Sequence, residues 1–260
     1  MNLARIKAVI SKDWSEFKES KYLFYSVIFM PIFLSVIFPI AFLAPMNKDN
    51  VQEFLEAPFI PPEAQSDYSL IIEYITNTML PMFMLIPLMV STILGAHSFV
   101  GEKVSRTLEP LLATPVSDNE LFTGKILSIL IPSLIATLVG FCLFAIVTNF
   151  LSVNSLGVNY IPSATWLLAL VLLMPLLSFI GITVTVLISS RVNDLRSAQQ
   201  LSGLVSLPIM GLLILNISGA LMIGVTSVLI ITVVLGLIFY ALFKTATKLF
   251  NRERILTSWK

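Results

Sequence analysis

The chain has 260 residues, of which 57% are apolar and 12% charged, and its formal net charge is +1. A soluble domain carries about 45–50% apolar and about 25% charged residues, and a disordered chain fewer apolar ones still, so both are excluded and a bilayer is the implied solvent. So small a net charge implies neither nucleic acid nor an acidic surface as partner, and a single cysteine, Cys142, excludes an internal disulfide framework and reads as a small apolar packing residue.

Residues 1–21 are charged along their length, too polar and too long for the basic head of a cleavable signal peptide. Leu3, Ile6, Ile10, Trp14 and Phe17 recur at spacings of three and four, which gathers them on one helical face and leaves Arg5, Lys12 and Lys18 elsewhere. The pattern predicts an amphipathic helix in the membrane interface, as an anchor for the first spanning helix or as a contact for a cytoplasmic partner.

A spanning helix needs about 20 mainly apolar residues. The first is expected over 22–44. The connection 45–74 is acidic (Asp49, Glu53, Glu56, Glu63, Asp67, Glu73), and Pro58, Pro61 and Pro62 suit an extended path. The second helix is expected over 75–97, with His97 as a polar residue at its inner end. In the following loop, Leu108, Leu111 and Leu112 with Glu102, Lys103, Arg106 and Glu109 make a short amphipathic segment, which must lie in the headgroups or dock on protein. Pro115 marks a break, and Ser117-x-x-Glu120 is a capping box that predicts a helix start near 118. The third spanning helix is expected over 122–148 and the fourth over 164–190. Residues 201–243 carry no charge and are too long for one crossing, and Asn216-Ile-Ser-Gly219 supplies the turn, giving helices at 199–216 and 221–243. Tyr160 and Trp166 at the outer end of the fourth helix, and Tyr22, Tyr25 and Tyr240 near the opposite face, stand where aromatic belts are expected.

The basic residues fix the expected orientation. Residues 1–21 hold five Lys and Arg, loop 98–125 three, loop 191–200 two and the tail 244–260 five; loop 45–74 holds only Lys48. Strict alternation places fifteen of the sixteen on one side, which the positive-inside rule assigns to the cytoplasm together with both termini. The expected architecture is an all-α integral membrane protein: an interface helix at 1–21, a six-helix transmembrane domain at 22–248 and a cytoplasmic tail at 249–260.

Catalytic chemistry is missing. One His and one Cys cannot build a His/Cys zinc site, no Gly-x-Ser-x-Gly occurs, and Gly124-Lys125 lacks the rest of a Walker A motif. The apolar runs 22–44, 75–97, 126–148, 164–190 and 201–243 contain no Asp, Glu, Lys or Arg, which argues against a proton-coupled carrier or voltage sensor. Any ATPase must then be another chain. The polar residues inside the runs, among them Asn77, Thr78, Ser133, Thr137, Ser178, Thr183, Thr185, Ser202 and Ser206, read as helix-packing groups first, with substrate lining as the alternative.

The pattern Glu102-Lys103, Thr107-Leu108-Glu109, Leu111-Leu112, Thr114-Pro115-Val116-Ser117, Glu120-Leu121 and Gly124-Lys125 resembles the loop between the second and third helices of ABC-2 type transporter permeases. Arg191, Arg196, Ala198-Gln199 and Pro208, with Asp194 between them, are similar to that family's next cytoplasmic segment. The resemblance implies the membrane half of an ABC exporter, with two permease subunits, identical or paralogous, forming the pathway and two separate ATPase subunits binding ATP and Mg. No cofactor is implied for this chain. It further implies a cell-membrane location and a coupling helix in the first loop. The residues implied for coupling are Glu102, Lys103, Arg106, Thr107, Leu108, Glu109, Leu111, Pro115, Ser117, Glu120 and Lys125, with Arg191, Asp194, Arg196 and Gln199 in the second loop. The competing readings are a secondary transporter or channel working without ATP, and a membrane scaffold.

Overall fold

The computed structural model describes residues 2–46, 51, 60, 61, 67–105 and 117–249. Every regular element among the described residues is helical. An interface helix, α1 (Leu3–Glu19), is followed by α2 (Lys21–Leu43), α3 (Tyr68–Val104), α4 (Asp118–Leu156), α5 (Ala164–Ser189), α6 (Leu195–Ile217) and α7 (Val225–Leu249). From α2 onward, six helices are long and apolar enough to cross a membrane.

Local chemistry explains where each begins and ends. Asn2 caps α1 by accepting from the Ala4 N–H at 3.0 Å, and extended Ser20 separates α1 from α2. α3 begins at Tyr68 rather than near 75, because the Asp67 carboxylate accepts from the Ser69 N–H at 2.8 Å and Ile71 and Ile72 are already buried. α4 begins with the expected capping box: the Glu120 N–H donates to Ser117 Oγ at 3.4 Å and the Ser117 N–H to Glu120 Oε2 at 3.2 Å. It runs to Leu156, past the expected 148, until Gly157 turns left-handed at φ 76°. Asp194 caps α6, so that helix starts ahead of its apolar run. The turn after α6 falls on Asn216–Gly219 as the residues require, with Gly219 at φ 73° and Asn216 Nδ2 donating to the Leu221 carbonyl at 2.9 Å. α7 then starts at Val225, four residues later than expected.

Prolines shape the helix interiors. Pro208 has no N–H for the Leu204 carbonyl, and the chain answers with a tight 3₁₀ turn in which the Leu207 N–H donates to that carbonyl instead. π-helical turns interrupt α5 at Ala169–Leu173, just ahead of Pro175, and α3 at His97–Gly101.

α3 is the central helix and packs on α2, α4, α5 and α6, while α7 lies at the edge against α5. Within their most apolar windows, 83% of α3 but 6% of α7 is buried, so α7 presents nearly all of its apolar surface outward, as lipid allows and water does not. Small residues let helices approach closely. A Cβ on Gly181 of α5 would fall inside the Ser91 hydroxyl of α3, and one on Gly140 of α4 would lie 2.9 Å from Ser35 Oγ of α2. Ser133 of α4 bonds Ser178 of α5 at 2.9 Å and the Pro87 carbonyl of α3 at 3.0 Å, so these hydroxyls join helices as expected.

Two sequence expectations are corrected. Trp166 and Tyr160 do not stand in an aromatic belt; Trp166 is 1% exposed and stacks on Phe144 at 4.5 Å, edge-on to Phe83 at 5.4 Å, with Tyr160 against Phe144. Spacing marks a residue near a helix end but not the direction it faces. Cys142 is exposed on the outside of the bundle rather than packed within it. Tyr22, Tyr25 and Tyr240 are outward-facing, in keeping with a belt position.

Candidate functional site

The longest helices carry the site on their polar extensions. At about 1.5 Å per residue, α3 and α4 are each about 55 Å long, well beyond about 30 Å of hydrocarbon, and their extra turns meet α1. α1 buries Ile6, Val9, Asp13 and Phe17, a stripe at helical spacing with one carboxylate in an otherwise apolar face. It lies close on α4: a Cβ on Gly124 would be 2.9 Å from the Val9 side chain. Pro132 of α4 cannot donate to the Ser128 carbonyl, and the Trp14 indole N–H of α1 donates to it instead at 3.0 Å.

Around this contact sits a buried ionic junction. Asp13 Oδ2 accepts from Ser128 Oγ of α4 at 2.7 Å and from Ser98 Oγ of α3 at 3.0 Å. Lys125 Nζ of α4 donates to the Ser98 carbonyl at 2.8 Å and to Glu102 Oε2 of α3 at 2.6 Å, and lies 5.4 Å from the Phe99 ring centre. Lys12 Nζ of α1 bonds Glu102 Oε1 and pairs with Glu16 at 3.1 Å. Burial alone would lower the Lys12 ammonium; the hydrogen bond and charge of Glu102 outweigh it and hold the group above its ordinary value, so Lys12 stays charged at neutral pH. Glu102 thus receives one ammonium from α1 and one from α4.

A second tie fixes the start of α1. Glu120 Oε1 accepts from the Asn2 N–H at 2.6 Å, and Glu120 Oε2 lies 3.5 Å from Arg5. A third joins α3 to the end of α5, where Lys103 Nζ donates to the Ser189 carbonyl at 3.4 Å. Beside it, Ala198 of α6 is fully buried against Ala96 and Val100 of α3.

The sequence-predicted residues therefore divide. Glu102 and Lys125 meet in one buried pair, not on an exposed surface, because each is the other's counter-charge. Ser117 and Glu120 form the α4 cap. Lys103 reaches the second loop. Asp194 caps α6, accepting from the Ser197 N–H at 2.9 Å; that bond and the Ser197 hydroxyl hold its carboxyl below the usual carboxylate range. Arg191 and Arg196 are exposed, and Gln199 is half-buried. Arg106, Thr107, Leu108, Glu109, Leu111 and Pro115 lie outside the described residues.

Sequence reasoning missed Lys12, Asp13, Ser98 and Ser128. The signal for Asp13 was its place on the stripe 6, 9, 13, 17, where a charge must be paired. Ligand oxygens of Asp13, Glu16 and Glu102 come within 4.8 Å of one another, but the Lys12 and Lys125 ammoniums bond these carboxylates, and the ion pairs account for the cluster without a metal. The arrangement's two hydroxyls, Ser98 and Ser128, donate to the Asp13 carboxylate, and all three groups are buried. Its capacity is mechanical: it locks three helices in one register at the two stems of the segment 106–116.

A family model described as ABC-2 family transporter protein matches residues 7–223, from within α1 to the turn after α6. No curated protein and no solved structure matches the chain.

Proposed function

Because the chain belongs to the ABC-2 transporter family, and so is a multi-pass membrane protein serving as the permease of an ABC transporter, we propose that it forms an export pathway worked by a separate ATPase docked between α3 and α4. The observation that carries the coupling is the 2.6 Å Lys125–Glu102 bond, which ties the stem ahead of segment 106–116 to the stem behind it. A force on that segment reaches α3 and α4 together, and α1 with them through Lys12 and Asp13. Buried ion pairs contribute little net stability against an apolar alternative, and their best-attested use is to fix register, which suits a force-transmitting joint.

In this reading Thr107, Glu109 and Arg106 make polar contacts with the ATPase, Leu108 and Leu111 fill its groove, and Pro115 sets the angle into α4. Glu102 and Lys125 transmit rather than touch. The assembly comprises two permease chains and two ATPase subunits holding ATP and Mg, in the cell membrane, with both termini on the cytoplasmic side.

The test is co-expression with the ATPase. Leu108→Ala with Glu109→Ala is expected to abolish co-purification while the permease remains folded. The pair Glu102→Gln with Lys125→Met is expected to keep the complex and lose most transport. Unchanged co-purification and transport in the first variant would remove the docking role of the loop.

A further inference from the structure

Between α1, α2 and α4 lies an apolar groove of about 470 Å³, within the roughly 300–1,000 Å³ range of ligand sites. Pro31 of α2, Leu94 of α3 and Pro132 of α4 line it. Ile28, Ile32, Ile135 and Val139 line it as well and are exposed, so the groove opens sideways out of the bundle. Trp14 and Lys18 of α1 also belong to its wall. We propose that this groove holds an acyl chain of an anionic phospholipid from the leaflet on the α1 side, with Lys18 taking the headgroup phosphate.

Three observations carry this. The groove opens between spanning helices, where the surrounding medium is hydrocarbon, so water has no hydrogen-bond partners within it and a lipid chain is the occupant at hand. Trp14 is fixed by its bond to the Ser128 carbonyl, which holds in the groove wall an amphipathic ring of the kind enriched where headgroup meets chain. Lys18 supplies the charge complement. Its neighbour on α1, Lys12, is committed to Glu102 and Glu16, whereas Lys18 is exposed and makes no ion pair among the described residues. An ammonium at the mouth of an apolar slot fits an anionic headgroup above an acyl chain, and this goes beyond the coupling proposal, since neither the ATPase nor the loop is involved.

The experiment uses the full chain in nanodiscs of phosphatidylcholine doped with phosphatidylglycerol carrying a photoactivatable acyl chain, with labelled peptides mapped by mass spectrometry. Labelling is expected to concentrate on the α2 and α4 segments around Ile28 and Ile135 and to spare α7, whose Val233 and Leu237 are at least as exposed. Unlabelled phosphatidylglycerol should compete better than phosphatidylcholine, and Lys18→Gln should reduce that preference about fivefold, the worth of one basic residue at an anionic surface. Lys18 is exposed, so its replacement leaves the fold intact; Ala136→Phe, which fills the groove, should remove the label from it. Labelling spread evenly over α2, α4 and α7 would overturn the site. Equal competition by the two lipids would overturn the headgroup assignment, and cross-links between two copies through Ile135 would show a second chain there instead.

Discussion

Lys125 is 1% exposed and Glu102 3%; the Lys125 ammonium has Glu102 as its carboxylate partner, whereas Glu102 bonds Lys12 as well. Glu102→Gln is expected to cost about 3–5 kcal/mol, the penalty for leaving the buried Lys125 ammonium uncompensated. The double variant Glu102→Gln with Lys125→Met should recover much of that loss, because the buried ammonium leaves with its partner while Lys12, 33% exposed, keeps Glu16. Thermal unfolding of the purified chain in detergent checks this: additive losses in the double variant would show that the residues do not act as a pair. At this scale the sequence was partly legible. Ser117 and Glu120 announce a cap through spacing alone, since the bonds join residues three apart. Glu102 and Lys125 could be named but not paired, because their contact joins positions 23 apart across a loop. Asp13 stood in plain view on an apolar stripe, yet its partners Ser98 and Ser128 are ordinary serines that only tertiary packing selects.

α1 is more than an interfacial float, because α4 is shaped to receive it. Gly124 leaves room for Val9, and Pro132 leaves a carbonyl for Trp14. Trp14→Phe keeps an apolar ring but removes the donor, and the orphaned Ser128 carbonyl is expected to cost about 1–3 kcal/mol. The loss should appear as faster hydrogen exchange in α1 with α5 to α7 unchanged; a uniform effect along the chain would contradict a local joint. Element existence and order were readable because a 20-residue apolar run has few alternatives in a bilayer. Helix ends were less so. Apolar counting stops at the first charge, as at Glu73, whereas a helix stops where caps and turns dictate, and the polar turns beyond the hydrocarbon are where the junction forms. α1 was legible as amphipathic, but its buried stripe includes Val9 and Asp13 and leaves Leu3 80% exposed, because its apolar face seats on α4 as well as the membrane.

The six spanning helices leave α1 and the end of α7 on the same side of the bundle, and the α1 side also holds the two stems at Ser105 and Ser117. Fifteen of sixteen basic residues fall in the segments on that side; the helix count puts these segments together, and the charge bias argues that their side is the cytoplasm. A direct check starts from Cys142→Ser, which removes the only native thiol. Ser105→Cys, at the end of α3, and Ser218→Cys, in the turn between α6 and α7, both place a thiol at an exposed position. A membrane-impermeant maleimide added to intact cells should label Ser218→Cys and reach Ser105→Cys only after the membrane is opened. Labelling of both from the same face would require an even number of crossings between them; three are present, α4, α5 and α6, so the same-face result is incompatible with this fold whichever side the termini occupy. The reverse pattern, with Ser105→Cys labelled first, would keep the fold and invert the orientation, taking the loop between α3 and α4 away from any cytoplasmic ATPase.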